Sequence, residues 1–158
     1  MLITEALVGE HAVLYTLFDH IEATLPIATL DELQAQGRML AAALVSHARL
    51  EDDVLFAALE PHLGRAAGPL TAMRSEHSAI EEALERLPEL SGPATARDLL
   101  SKLIATARDH FAKEERILFP MAMMTLGPGA LAAQGHEWAG RRRVAEALSA
   151  SALEGTVD

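Results

Sequence analysis

The sequence predicts an all-α protein built as a four-helix bundle. Half of the 158 residues are apolar, only 4 % are aromatic, and the strong helix formers alanine and leucine are abundant. Apolar residues recur at steps of three and four along four long segments, which is the spacing of one helix face. Because the connections between these segments are short, we expect consecutive helices to run antiparallel, in a left-handed bundle of up-down-up-down order.

Each segment repeats the same periodicity, and prolines and glycines separate one segment from the next. Asp31 is the predicted N-cap of the second helix, because its carboxylate can accept hydrogen bonds from the first turn. The apolar faces of the four predicted helices run through residues 7–25, 33–58, 70–87 and 103–121.

A shorter fifth helix is predicted at the C-terminal end, from Pro128 to about Leu153. We expect residues 1–126 to form the four-helix bundle, and residues 127–158 to pack as a helix and tail on the same domain. Trp138 and the basic run Arg141–Arg143 would suit either a helix that caps the bundle or one that contacts a partner protein.

Composition excludes several kinds of function. The chain has no cysteine, which rules out thiolate zinc sites, iron–sulfur clusters and thiol nucleophiles. A net charge of −10 argues against binding to nucleic acid or to anionic membranes, which require a basic face. No apolar stretch approaches the roughly 20 residues of a membrane span, and the N-terminus does not resemble a signal peptide. We therefore expect a cytoplasmic protein.

Polar residues interrupt the apolar face of every predicted bundle helix. Each face carries a histidine, and two faces add a glutamate four residues later, which brings the two Cβ atoms to roughly 6 Å. The stretch beginning at Gly9 is similar to the one beginning at Ser75, and the stretch from Val45 to the one from Arg108, so the chain is an internal repeat of two helix hairpins. The six polar residues are His11, His47, Glu51, His77, His110 and Glu114.

These residue types indicate a metal centre. An unpaired carboxylate in an apolar core costs several kcal/mol, and a multivalent cation would remove that cost. Four imidazoles and two carboxylates suit two metal ions, each with two histidines, bridged by both glutamates. Imidazole and carboxylate ligands are compatible with iron, manganese or zinc. With a solvent-derived bridge, each ion is left about one ligand short of six, so a small ligand can bind.

The order His, HxxxE, His, HxxxE, with the second motif continuing as HFAKEERILFP from His110, closely resembles the hemerythrin-like HHE cation-binding domain family. The resemblance covers roughly residues 4–124. It implies a four-helix bundle around a non-heme centre of two iron ions joined by an oxo or hydroxo bridge, and it favours iron over zinc or manganese, which remain possible substitutes by ligand type. It also implies that Glu51 and Glu114 bridge, and that the histidine ligands are His11, His47, His77 and His110.

The sequence departs from the oxygen-carrying hemerythrins at two places. Glu81 lies four residues after His77, where those proteins have a further histidine. Glu114 lies four residues after His110, whereas those proteins have an aspartate five residues after the corresponding histidine. Glu81 and Tyr15 are the candidates for a further metal ligand, and Tyr15 is also a candidate proton donor.

The remaining charged residues are assigned smaller roles. Glu10 and Glu76, each one residue before a stripe histidine, are candidates to hold a metal-bound imidazole. Asp52 and Glu115 are expected on a solvated charged face. The histidines outside the pattern, which we do not expect to bind metal, are His20, His62 and His136.

The predicted function is binding of, or reaction with, O₂, nitric oxide or peroxide, in oxygen or redox sensing or in the handling of reactive species. Whether the protein is an enzyme, such as an oxidoreductase that consumes peroxide or nitric oxide, is left open at this point. The alternatives are iron storage or delivery, and a metal-stabilised interaction module without redox activity. The sequence identifies no reductase or other protein partner.

Overall fold

The computed structural model describes residues 1–64 and 68–144, and that part of the chain is helical without any strand, as predicted. Two π-helical segments, Glu51–Phe56 and Glu114–Leu118, and a short 3₁₀ turn, Leu87–Glu89, extend the α-helices into four long runs that pack as a helical bundle. The α-helices are α1 (Ile3–Thr24), α2 (Leu30–Leu50), α3 (Ala57–Leu63), α4 (Pro69–Arg86), α5 (Pro93–Lys113) and α6 (Phe119–Arg142).

The start of α2 differs from the prediction. Thr29 is the N-cap, and its hydroxyl accepts a hydrogen bond from the Glu32 N–H at 3.4 Å. The Glu32 carboxylate accepts in return from the Thr29 N–H at 2.7 Å. This capping box satisfies two backbone donors at once, so the prediction that Asp31 caps the helix is wrong.

The buried apolar side chains form two clusters, one toward each end of the bundle. One cluster contains Phe18 and Phe111, and the other contains Phe56 and Phe119. The His11 ring stacks on Phe111 at 4.0 Å between ring centroids and on Phe119 at 5.7 Å. The polar residues predicted to bind metal therefore lie where the two apolar clusters meet, in a region of low dielectric constant.

The π-helical segments shift the buried face by one residue. In the second segment the Phe119 N–H donates to the carbonyl of Glu114, five residues back instead of four. The additional residue in the turn rotates the helix face, so Ile117 is 56 % exposed and its neighbour Leu118 is buried. The predicted inward positions Ala58, Ile117 and Met121 are therefore wrong by one residue, and the buried residues are Leu59, Leu118 and Ala122.

The C-terminal part of α6 follows a bend at Gly127, whose φ of 73° and ψ of 167° are not helical. This part packs on α1, and a Cβ atom at Gly135 would lie only 2.2 Å from the Met1 carbonyl oxygen. α6 ends at Arg142, and the predicted extension toward Leu153 falls outside the described residues.

One helical run has the length and composition of a membrane span. The continuous run Pro93–Arg142 contains an 18-residue window of mean hydropathy 1.3, which by length and composition alone is enough to cross a membrane. This finding corrects the expectation that no apolar stretch approaches that size. Core helices of soluble proteins meet the same criterion, although they are mostly buried and only 22 % of this window is buried.

Candidate metal centre

The six residues predicted to bind metal come together at the middle of the bundle, and all of them are buried. They form two groups of four ligands that share Glu51 and Glu114, and the ligand atoms of each group lie within 4.8 Å of one another. We name the group with His11 and His47 the inner position, and the group with His77 and His110 the cavity position.

The two glutamates divide their oxygen atoms between the two positions. Glu51 Oε1 lies 3.3 Å from His47 Nε2, and its Oε2 lies 3.4 Å from His77 Nε2. Glu114 does the same, with Oε2 3.4 Å from His11 Nε2 and Oε1 3.4 Å from His110 Nε2. Each carboxylate therefore presents one oxygen to each pair of imidazoles, which is the arrangement of a bridging ligand.

The backbone explains how the glutamates reach the site. Glu51 and Glu114 are each the first residue of a π-helical segment, four residues after a histidine in the last turn of the preceding α-helix. π-bulges are frequent at functional sites because they reorient side chains without ending the helix. Here the bulge separates the helix face that carries the ligands from the apolar face that follows.

The polar atoms of the site fit a cation. The four carboxylate oxygens of Glu51 and Glu114 are fully buried, and none has a geometrically acceptable hydrogen-bond partner among the described residues. Buried carboxylates without such partners are strongly unfavourable unless a positive charge compensates them. The Nε2 atoms of His11 and His47 lie 3.0 Å apart, and those of His77 and His110 lie 2.9 Å apart, so each pair converges on one point.

The pKa values of the site residues also show that the site favours positive charge. Burial lowers the pKa of His11, but its contacts with Glu114 and Glu51 outweigh burial and raise the pKa to about 9. Burial also lowers the pKa of His47 and of His77, but contacts with carboxylates outweigh it. They raise the pKa of His47 to about 10 and that of His77 to about 9. Burial raises the pKa of Glu51, but the imidazoles around it hold that pKa well below its usual range. A metal cation would compete with protons for these atoms.

Each imidazole donates its outer Nδ1–H to a carboxylate. Such partners fix the ring orientation and the tautomer of a metal-binding histidine. The expectation that Glu10 and Glu76 play this role is confirmed, whereas the expectation that Asp52 and Glu115 are merely solvated is wrong. The pairs are His47 with Glu10 at 2.7 Å, His110 with Glu76 at 2.8 Å, His11 with Glu115 at 2.9 Å and His77 with Asp52 at 3.4 Å.

The C-terminal part of α6 supports this outer layer. Trp138 Nε1 donates to Glu10 at 2.5 Å, and Arg142 donates to both carboxylate oxygens of Glu10. Burial raises the pKa of Glu10, but hydrogen bonds from His47, Arg142 and Trp138 prevail and lower it to about 2. Glu10 therefore stays ionised as the acceptor for the His47 imidazole.

The two candidates for a further ligand lie outside the two groups of ligand atoms. The Tyr15 hydroxyl donates to Glu115 at 3.4 Å, so it is connected to His11 through that carboxylate. Burial and the Glu115 charge raise the pKa of Tyr15. Glu81 is exposed and lies on the wall of a cavity of about 260 Å³ between α2 and α4, which we name the α2–α4 cavity. His20, His62 and His136 are also outside both groups.

Comparison with known proteins agrees with this geometry. The family model of the hemerythrin HHE cation binding domain matches residues 2–122, a range that includes all six site residues. The iron–sulfur cluster repair protein YtfE of Escherichia coli O139:H28 (strain E24377A) is 30 % identical over 97 residues, which cover 54 % of this chain and 44 % of that protein. The YtfE protein of Shigella boydii serotype 18 (strain CDC 3083-94) matches to the same extent.

The match has a limited span. The aligned part of the chain covers less than half the length of these relatives. No solved structure matches the chain. Because the family model covers most of the sequence and all six clustered residues, the chain belongs to the hemerythrin HHE cation-binding domain family.

Proposed function

We propose that the protein is a non-heme di-iron protein that binds or reacts with a small ligand, O₂, nitric oxide or peroxide, in oxygen or redox sensing or in the handling of reactive species. The observation that carries this proposal is the division of the oxygen atoms of Glu51 and Glu114 between two pairs of imidazoles.

Membership of the hemerythrin family favours iron over the other metals that these ligands accept. Zinc or manganese would also bind imidazole and carboxylate, so either could substitute. Bound iron would supply redox chemistry, with an oxo or hydroxo bridge and an open coordination position for the small ligand. The acidic outer residues would hold the four imidazoles in place for that purpose.

The protein itself controls water and protons around the site. The rings of Phe111 and Phe119 stack on the His11 imidazole, which keeps water from that side. Tyr15 is the candidate proton donor, and its hydroxyl donates to Glu115, the same carboxylate that accepts from His11. A protein that only senses its ligand needs no such donor, so the role of Tyr15 separates an enzyme from a sensor.

The finer points of the architecture belong to the same proposal. We propose a left-handed, antiparallel up-down-up-down bundle in which the segment after Gly127 acts as a fifth helix on the same domain. The contacts of Trp138 and Arg142 with Glu10 support this role. We further propose a cytoplasmic protein whose partner is a small ligand and not nucleic acid or membrane, in keeping with its net charge of −10.

The experiment that tests the proposal combines metal analysis with spectroscopy. The full chain is purified in air from cells supplied with iron, its metal content is measured, and its absorption is recorded before and after dithionite. The reduced protein is then exposed to O₂, nitric oxide and peroxide in turn. We expect about two irons per chain and an oxo-bridge absorption band that reduction removes. Stoichiometric zinc with no spectral response would contradict the redox function.

Iron delivery is the second candidate function. The relatives are named for repair of iron–sulfur clusters, a process that requires a source of iron, and the acidic surface would attract cations. The test measures transfer of iron to an apo iron–sulfur protein in the presence of a chelator. Faster transfer from the iron-loaded protein than from an equal concentration of free iron would favour delivery. Retention of both irons together with ligand binding would favour the first proposal.

A further inference from the structure

The imidazoles of the two metal positions differ in exposure, because His77 is 9 % exposed whereas His11, His47 and His110 are 0–2 % exposed. We infer that the cavity position, at His77 and His110, is where the small ligand enters and where metal exchanges, while the inner position holds its ion. This inference rests on the di-iron function proposed above and adds which of the two ions reacts.

The first observation is the α2–α4 cavity. Both imidazoles of the cavity position line it, whereas only His47 of the inner position does so and His11 does not. At about 260 Å³ the cavity is several times larger than the roughly 30 Å³ that one water occupies in the liquid, so it has room for a diatomic molecule or a peroxide. Glu81 lies exposed on its wall, one turn after His77.

The second observation is the packing around the inner position. His11 has no solvent-exposed surface, and its ring lies against Phe111 at 4.0 Å with an angle of only 11° between the ring planes. Phe119 stacks on it as well, at 5.7 Å between centroids. A ligand that approached His11 from this side would have to displace aromatic side chains from both apolar clusters.

The third observation is how firmly the imidazoles are held. His77 is 9 % exposed, and its Nδ1 lies 3.4 Å from Asp52, whereas the other three imidazoles have carboxylate partners at 2.7–2.9 Å. Arg74 competes for Asp52, since its Nε lies 3.4 Å from the other carboxylate oxygen. A weaker outer hydrogen bond leaves the ring freer to swing away from a metal ion, and this weakness coincides with the cavity.

The kinetics of iron release test the inference. The iron-loaded full chain is reduced and mixed with a ferrous chelator, and release is followed by absorption. We expect two phases of one iron each, with the faster phase at least about tenfold faster, the lower end of the effect of outer partners on metal affinity. Two irons released at one common rate would overturn the inference and leave the di-iron proposal standing. A chain that binds no iron would overturn both.

A pair of matched variants tests the route. Val45 lines the α2–α4 cavity, whereas Val8 lies on α1 outside it and is 45 % exposed. Val45→Phe is expected to slow both the fast phase of iron release and the binding of azide, used as the ligand probe, while Val8→Phe leaves both rates unchanged. Ser78→Phe, at an exposed position of the cavity wall, provides a second blocking variant if Val45→Phe does not fold. Equal rates in all folded variants would overturn the cavity route.

A ligand variant assigns the phases. His77→Ala is expected to retain one slowly released iron and to lose the fast phase, because it removes an imidazole of the cavity position only. Circular dichroism establishes that the variant is folded. A folded His77→Ala protein that retains the fast phase would show that the exchanging ion is the other one, and would overturn the assignment.

Discussion

The Glu10 carboxylate accepts a hydrogen bond of 2.7 Å from Nδ1 of His47, on the next helix, although Glu10 is the chain neighbour of His11. Glu76 makes the equivalent bond to His110 in the second hairpin. In each hairpin, therefore, the acidic residue of the first helix orients the histidine of the second, so the outer layer follows the internal repeat of the sequence.

The other two outer bonds connect the hairpins to each other. Glu115 of the second hairpin accepts from His11, and Asp52 of the first hairpin accepts from His77. Metal-binding geometry in this protein is therefore inseparable from the packing of the two hairpins. Loss of one ligand or one outer acceptor should therefore lower both the metal content and the stability of the protein.

Replacement of a shared glutamate gives the first prediction. Glu51→Ala is expected to lose most of the bound metal, because both metal positions use its oxygen atoms. The iron-loaded protein should lose about 3–5 kcal/mol of its free energy of unfolding, the usual cost of breaking a buried ionic interaction. Metal analysis and denaturant unfolding measure the two effects. Glu81→Ala, which removes a carboxylate outside both positions, is the control, and an equal loss of metal in both variants would contradict the assignment.

The outer layer gives the second prediction. Glu10→Ala removes the acceptor of His47 and the partner of Trp138, so metal affinity should fall by roughly 10–100-fold. Trp138 fluorescence should change as well, since its indole N–H loses the carboxylate. Titration with a competing chelator measures the affinity. Unchanged affinity in Glu10→Ala, relative to the exposed-residue control Glu85→Ala, would show that Glu10 has no effect on the metal.

Tyr15 gives the third prediction. Tyr15→Phe keeps the ring but removes the hydroxyl that donates to Glu115, so metal content should not change. If the proposed enzyme uses this proton, peroxide consumption should fall by roughly 10²-fold, the lower end of the contribution of a general acid. Thr16→Val removes a hydroxyl from an exposed position of the same helix and is the control. Undiminished turnover would remove Tyr15 from the mechanism.

Two glycines of α6 give the fourth prediction. A Cβ at Gly135 would lie 2.2 Å from the Met1 carbonyl oxygen, so Gly135→Ala forces α6 away from α1. We expect a loss of about 1–3 kcal/mol in the free energy of unfolding, as for other overpacked sites. Gly140→Ala meets no neighbouring atom within 4 Å and should stabilise the helix slightly. Equal stability of the two variants would contradict the packing of α6 on α1.

The ligand set was predictable because it is repeated and lies at helical spacing. His47 with Glu51, and His110 with Glu114, recur at matching places in the two hairpins, and a pattern of this kind is rare by chance. Their common location at the middle of the bundle follows from the same periodicity that predicts the helices. The structure brings these residues together as that pattern requires.

The remainder of the site depends on side-chain directions that periodicity does not contain. Asp52 and Glu115 were expected in solvent, yet both contact imidazoles of the opposite hairpin. The available signal was that an acidic residue directly follows Glu51 and Glu114 in both repeats. The π-helical segments were also missed, because one additional residue in a turn shifts the apolar pattern only slightly.

The central claim is that the shared glutamates bridge two iron ions. Low-temperature Mössbauer spectroscopy of the oxidised full chain, loaded with isotopically enriched iron, tests it most directly, together with electron paramagnetic resonance. Bridging predicts about two irons per chain, coupled so that the ferric pair is diamagnetic and gives no resonance signal. Magnetically isolated high-spin ferric ions, or a single iron per chain, would contradict the account.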